Sequence, residues 1–315
     1  MTRTLVLGGT GFVGREVCGT FAAHGHDVTH VSRTPAPGLP GRPLTLDLGD
    51  IAPDALAGEL DRIAPDVVVN CVGSIWGRTD AEMAPSVVAP TERLLAALAL
   101  HRGRPRLVHL GSVLEYGPVA PGTTATGPDR PDTAYGRAKL AATSAVLAAD
   151  PRALVLRVAN VAGPGTPGIS LLGQVAGRLA AWNGDPAAPV HVTLDPLRAH
   201  RDYVDVRDVA DAVLAGALRP DAAGVLAIGR GEAVPVRALV DLLVSVSGVP
   251  ARITERPDGA AGSADWMRVD PSAAHAALGW RARRQLADSL RDFWHECRTA
   301  DEAGPAGARG RAVPA

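Results

Sequence analysis

"GGTGFVG", residues 8–14, follows the apolar run "TLVL" (4–7) and leads into the helix-patterned stretch 13–24. Gly8, Gly11 and Gly14 stand at three-residue intervals. A packing turn between strand and helix would account for glycines here. So would a phosphate site, because glycine allows a tight turn, close backbone approach to a pyrophosphate and close helix–strand packing. The surrounding pattern favours the second. The runs 4–9, 27–33, 43–48, 66–73, 106–112 and 153–161 are rich in Val and Leu with little polar alternation, as strands covered on both faces require. Helical patterns at 13–24, 54–63, 79–100 and 135–149 separate them, and Pro85 and Pro90 should kink or interrupt the third. Such alternation predicts an α/β fold with a doubly wound parallel sheet. The glycine loop then occupies the first strand-to-helix turn. A dinucleotide's phosphates would meet the helix N-terminus there, against Gly8, Thr10, Gly11, Phe12, Val13 and Gly14.

The end of the second strand should choose the dinucleotide. An acidic residue there would accept from a ribose 2′-hydroxyl. The chain reads "VSRT" instead, so Ser32 and Arg33 suit a 2′-phosphate, Arg33 through a charge-assisted fork, and NADP(H) is expected over NAD. A solvated surface arginine is the plainer alternative.

After residue 162 the order changes. "GPGTPG" (163–168) reads as a loop. A strand at 190–194, "RDYVDV" (201–206) and a helix over 207–218 follow, and "GVLAIG" (224–229) reads as a strand returning to the main sheet. A helix at 235–247, a strand at 251–256 and helices at 271–278 and 286–298 suggest a smaller lobe. The expected division is a dinucleotide-binding core over 1–162, a substrate-binding lobe mostly over 163–300, and a disordered tail over 301–315 that lacks core-forming residues.

Composition narrows the partners. Lys and Arg number 32 against 33 Asp and Glu, a net charge of −1, which offers no general attraction to nucleic acid or an anionic membrane. Apolar residues reach 46%, enough for a sizeable core, yet no run approaches the ~18 residues of a membrane span. Cys18, Cys71 and Cys297 are too few and too scattered for a disulfide framework or a metal motif, which points to a reducing cytoplasm. His24, His26 and His30 flank a helix-to-strand turn and are read as solvated rather than metal-binding.

"AYGRAKLAA" (134–142) sets Tyr135 and Lys139 four residues apart at a helix start, hence on one face. A nearby ammonium should favour phenolate and bring Tyr135 toward useful acid–base range. Ser112 ends the fifth strand, where ligands of such sheets collect, and its hydroxyl suits a substrate carbonyl.

With "GGTGFVG", "DVVVNCVG", "GSVLEYG", "YGRAK", "RVANVAGPG", "RDYVDVRDVADAV" and "LGWRARRQLADSLRDFW" in this order, the chain resembles the extended short-chain dehydrogenase/reductase family, also called the NAD-dependent epimerase/dehydratase family, over residues 3–298. The resemblance implies a Rossmann core and a reacting set of Ser112, Tyr135 as proton donor, and Lys139 on the nicotinamide ribose. It sets Asp47 and Leu48 near the adenine. Cys71, Val72, Gly73, Gly111 and Val158 would lie along the rest of the cofactor. Homodimerisation through the helices at 79–100 and 135–149 is also implied, although the two prolines weaken it. Departures are visible. Asn70-Cys71-Val72-Gly73 stands where many relatives have His-x-Ala-Ala. Val87-Val88-Ala89-Pro90-Thr91 stands for Asn-Val-x-Gly-Thr, so the relay asparagine is missing and Ser86 is a weak substitute.

The reaction narrows by what is absent. The family's dehydratases carry an acid–base pair just after the catalytic Ser or Thr; here those residues are Val113 and Leu114, neither able to move a proton. Glu115 falls one place too late. The family's 3,5-epimerising reductases have a cysteine where Leu114 stands. Hydride transfer with one proton transfer remains. It would be an NADPH-dependent ketoreductase or a 4-epimerase with bound NAD, and Arg33 favours the reductase. A non-catalytic NADP-binding sensor would have no use for the Ser112–Tyr135–Lys139 set. By resemblance Arg201, Arg256 and Asn160 would hold the pyrophosphate of a nucleotide-sugar, and "GSIWGRTD" (73–80) resembles deoxysugar 4-ketoreductases of antibiotic pathways, with Trp76 at the sugar.

Overall fold

In a computed structural model the described residues are 1–302 apart from 35, 74, 127–128 and 258–264. Residues 303–315, most of the expected tail, lie outside them.

The Val/Leu runs form strands because both faces are covered. β1 (Arg3–Leu7), β2 (Asp27–Ser32), β3 (Arg42–Thr45), β4 (Val67–Asn70), β5 (Arg106–Ser112) and β6 (Leu154–Val158) alternate with α1 (Phe12–Ala23), α2 (Pro53–Ile63), α3 (Asp80–Leu100) and α4 (Ala134–Ala149). β7 (Asn160–Ala162), α5 (Leu171–Ala180), β8 (Val190–Leu194), β9 (His200–Asp205) and α6 (Val206–Ala217) come next. The chain ends with β10 (Gly224–Ile228), β11 (Ala233–Pro235), α7 (Val236–Ser247), β12 (Ala251–Glu255), β13 (Trp266–Met267), α8 (Ser272–Leu278) and α9 (Leu286–Glu302).

Seven strands form one parallel sheet in the order β10-β6-β5-β4-β1-β2-β3. Strand order reverses between β1 and β4, so a crevice opens there at the carboxyl ends of the strands. One face packs on α1, α6 and α8 through Val17, Phe21, Val209, Val213 and Leu278; the other meets α2, α3 and α4 through Leu56, Leu60, Leu94 and Val146. β10 joins β6 as the sequence pattern predicts.

A second core holds the smaller lobe. Leu172, Val175, Leu239, Leu243, Leu290, Phe293 and Trp294 bring together α5, α7 and α9 with the β8–β12 pair. β9, paired with β7, β11 and β13, lies between the two cores.

α3 departs from expectation. It runs unbroken through Pro85 and Pro90. A capping box at Thr79 and Glu82 starts it, and Met83, Val87, Pro90, Leu94 and Ala97 are buried, offsetting the hydrogen bond each proline forfeits. By length and hydropathy α3 resembles a membrane span, but it packs against α2 and α4. His30 also departs: it is buried in β2 with both ring nitrogens unpartnered, not on the surface.

Candidate active site

The glycine loop is held first by backbone. The Gly8 and Gly9 N–H groups both donate to the Val31 carbonyl at 3.1 and 3.2 Å, and Gly11 N–H donates to Gly8 O at 3.0 Å. Gly8 has φ +73°, a left-handed conformation suited to glycine. A Cβ on Gly14 would lie 2.1 Å from Gly8 O, so α1 can pack on the loop only without a side chain there. Gly9, which the three-residue spacing passes over, is constrained too: its Cβ would lie 2.6 Å from the His30 Cβ. No side chain caps α1 and its first turn carries no acid, which leaves its N–H groups for an anion. Bare backbone donors beside a cradle that excludes side chains fit a dinucleotide pyrophosphate.

A cavity of about 450 Å³ opens from this loop. Gly11, Phe12, Val13, Gly14, Cys71, Gly73, Gly111, Ser112, Tyr135, Lys139, Val158, Asn160 and Trp76 all line it, so the structure brings together most of the residues singled out from sequence. Ser32 ends β2 beside the loop, and Arg33 follows it. β3 pairs Thr45 with Ser32 and so brings Asp47 and Leu48 to the same end. Ser32 Oγ donates to Thr34 O at 2.6 Å, Asp47 Oδ1 accepts from Gly49 N–H, and Arg33 is exposed. Thr10 and Val72 are not on the cavity wall; the Val72 carbonyl instead accepts from Lys139.

Ser112 caps the one-turn 3₁₀ helix Val113–Glu115. Its Oγ accepts from Leu114 N–H at 3.2 Å, which leaves the hydroxyl proton to donate. Its own N–H donates to Glu115 Oε1 at 2.7 Å. Thr133 caps α4 by accepting from Gly136 N–H, and Tyr135 and Lys139 follow on one face. Lys139 Nζ donates to Leu110 O at 2.6 Å and Val72 O at 3.2 Å.

The expected electrostatic coupling differs. Burial pushes the Tyr135 phenol well up, and the charge of Glu115 adds to the rise. Burial lowers the Lys139 ammonium to about 8, against the opposing pull of Glu115. The ammonium is spent on two carbonyls at the ends of β4 and β5, so it does not draw Tyr135 toward phenolate.

The three residues expected at the pyrophosphate are placed differently. Asn160 lines the cavity. Arg201 lies two residues before the lining residue Tyr203 on β9, hence on the same face; its guanidinium donates to Asp265 and to the His200 carbonyl, not to Asp202 or Asp205. Arg256 follows β12, is exposed, and pairs with Asp195 at 2.6 Å.

Sequence reasoning missed Glu115 and Arg157. It also missed the second-lobe wall of Thr166, Ser170, Leu171, Leu172 and Tyr203. A second cavity of about 420 Å³ beside α8 holds none of the expected residues. Among the described residues, no group of three or more His, Cys, Asp and Glu is arranged to hold a metal.

The family model for the NAD dependent epimerase/dehydratase family matches residues 4–229. A dTDP-6-deoxy-L-talose 4-dehydrogenase (NAD(P)(+)) from Kitasatospora kifunensis is 42% identical, covering 96% of this chain and 97% of its own. A probable dTDP-4,6-dihydroxy-2-methyloxan-3-one 4-ketoreductase from Streptomyces antibioticus is 30% identical, over 89% and 88% of the two chains. RMD from Pseudomonas aeruginosa, solved with NADPH, superposes with a TM-score of 0.81 at 25% identity, over 95% of this chain and 98% of its own.

Proposed function

This chain belongs to the NAD dependent epimerase/dehydratase family, and from that premise we propose that it reduces a nucleoside-diphosphate 4-keto-6-deoxysugar to the 4-hydroxy sugar with NADPH. The observation that carries this reading is the wall next to Ser112. Val113 is buried and Leu114 lines the cavity, so the site holds the means for one proton transfer and lacks the second acid–base pair that elimination needs. Two relatives named for oxidation or reduction at a dTDP-sugar 4-position support the substrate class and the dTDP nucleotide.

When bound, the nicotinamide supplies hydride. The loop from Gly8 to Gly14 and the α1 N-terminus hold the pyrophosphate, and Ser32 and Arg33 meet the 2′-phosphate. The Ser112 hydroxyl donates to the ketone oxygen, and Tyr135 delivers the proton. Its raised pKa keeps the phenol protonated, as a donor must be. Lys139 braces the ends of β4 and β5 beneath them. Arg201, Asn160 and Arg256 bind the substrate's pyrophosphate, and Trp76 walls the sugar. The enzyme works in the cytoplasm, in a deoxysugar pathway such as those of antibiotic biosynthesis, as a homodimer through α3 and α4.

The test supplies a dTDP-4-keto-6-deoxyhexose with NADPH or NADH and follows absorbance with product NMR. Stoichiometric NADPH loss with a 4-hydroxy product is expected, and Arg33→Asp should cut the preference for NADPH by about 10- to 100-fold, the worth of one charge-assisted contact. A 4-epimer formed without net NADPH loss would make the protein an epimerase. Binding without turnover would make it a sensor.

A further inference from the structure

Arg157 is 4% exposed near the carboxyl end of β6, facing a loop and a turn that are distant in sequence. Its Nε donates to Glu115 Oε2 at 2.8 Å, and its two terminal nitrogens form a fork on Asp129, 2.7 Å to each oxygen. The guanidinium also lies 4.5 Å over the Tyr116 ring. Every part of this group is therefore in use.

What it joins bears on the site. Glu115, fully buried, spends its other oxygen on the Ser112 N–H, so it locks the turn that carries the Ser112 hydroxyl. Asp129 belongs to the segment that leads through Thr133 into α4. The Arg130 N–H donates to Tyr116 O at 3.2 Å, fastening that segment to the same turn. The joint has no slack: a Cβ on Gly136 would lie 2.5 Å from Leu114 O, one on Gly111 2.6 Å from Glu115 Oε1, and one on Gly117 1.8 Å from Arg130 O.

We propose that Arg157, acting through Glu115 and Asp129, is a positioning residue that fixes the Ser112 turn against the helix bearing Tyr135 and Lys139. The inference rests on reading those three as the reacting set. A buried ion pair is weak evidence for stability, and its better use is to impose one geometry, as here, where a single guanidinium spans two otherwise separate segments.

Lys139 is the only lysine in the chain, so labelling with ¹³C-lysine gives one side-chain signal whose titration is read directly. The charged or titratable groups around it are Glu115 from the turn, Cys71 after β4, His109 from β5 and Tyr135 on α4, with Arg157 and Asp129 behind Glu115. In the full-length chain, Glu115→Gln and Arg157→Lys should each lower kcat roughly 10- to 100-fold, as misplacement of reacting groups does, while NADPH Kd and ketone KM stay within about twofold. Glu115→Gln should also move the Lys139 titration down, because it removes a negative charge that favours the ammonium. Asp129→Asn, which leaves the Ser112 contact intact, should lower kcat about threefold. It decides the matter if Glu115→Gln does not fold. Wild-type kcat in Arg157→Lys and Asp129→Asn, or an unmoved Lys139 signal in folded Glu115→Gln, overturns the proposal. An inactive wild type would instead overturn the assigned reaction, and the Lys139 titration in Arg157→Lys, which keeps both charges, would then decide the positioning role: a shifted titration supports it and a wild-type titration overturns it.

Discussion

At the floor of the cavity Lys139 is 3% exposed and bonded to two backbone carbonyls, and Ser112 is clamped by the turn it caps. At the mouth, Ile75 and Trp76 are 38% and 39% exposed on the loop after β4, and Ile169, beside the lining residue Ser170, is 54% exposed. The floor is positioned by strand ends and helix caps of the parallel sheet. The mouth is assembled from loops of both lobes. Proton-transfer groups must keep their geometry before substrate arrives, and a preorganised hydrogen-bonded frame keeps them there. Exposed side chains at the mouth tolerate exchange better than the buried floor does. One scaffold can thus keep its chemistry while its substrate changes.

Breaking the floor should have the largest effect. Tyr135→Phe removes the proton donor and little volume, so kcat should fall about 10²–10⁴-fold with NADPH affinity retained, measured by stopped-flow and fluorescence titration. Wild-type turnover by this variant would move the proton source elsewhere. Next comes Arg201→Ala, which removes a partly buried fork from the β9 face shared with Tyr203. The nucleotide-sugar KM should rise about 10-fold and NADPH Kd should hold.

The pH response separates the floor's stability from its activity. Lys139, lowered to about 8 in the folded chain against an ordinary lysine value of 10.5, binds its proton more weakly folded than unfolded. Raising pH from about 8 to 10.5 should therefore add stability from this group, while activity falls about tenfold per unit above 8 as the ammonium is lost. Urea midpoints and kcat/KM measured across that window check the two opposite slopes. The smallest effect belongs to an exposed cation of the second lobe. Arg256 is exposed and already paired with Asp195, so Arg256→Ala should raise the nucleotide-sugar KM only about threefold.

The sheet and the floor were legible because their signals are local. Glycine spacing, Val/Leu runs and a Tyr–Lys pair one helical turn apart each lie within a short window. What escaped depends on distance. Glu115 looks idle in "GSVLEYG" because the residue that completes its role, Arg157, is 42 positions away. The direction of the Tyr135 shift was misjudged because spacing places Lys139 on the right face but cannot say that its ammonium turns to Leu110 and Val72. α3 was expected to break because proline chemistry is local, whereas the burial that holds the helix together is not. Gly9, like Gly14, has no room for a side chain, but only the neighbouring strand reveals it.

The sheet's outermost strand has a consequence for how the chain is made. β10 pairs with β6 in register from Gly224 opposite Leu154, a separation of 70 residues (224 − 154). Until then the far edge of β6 offers a row of unpaired backbone groups flanked by buried Val and Leu, a template for a neighbouring nascent chain. At about 5–20 residues per second, the ribosome leaves that edge open for roughly 4–14 s. During that interval β7, α5, β8, β9 and α6 emerge, so the strand that seals the nucleotide-binding sheet arrives only after part of the other lobe has been synthesised.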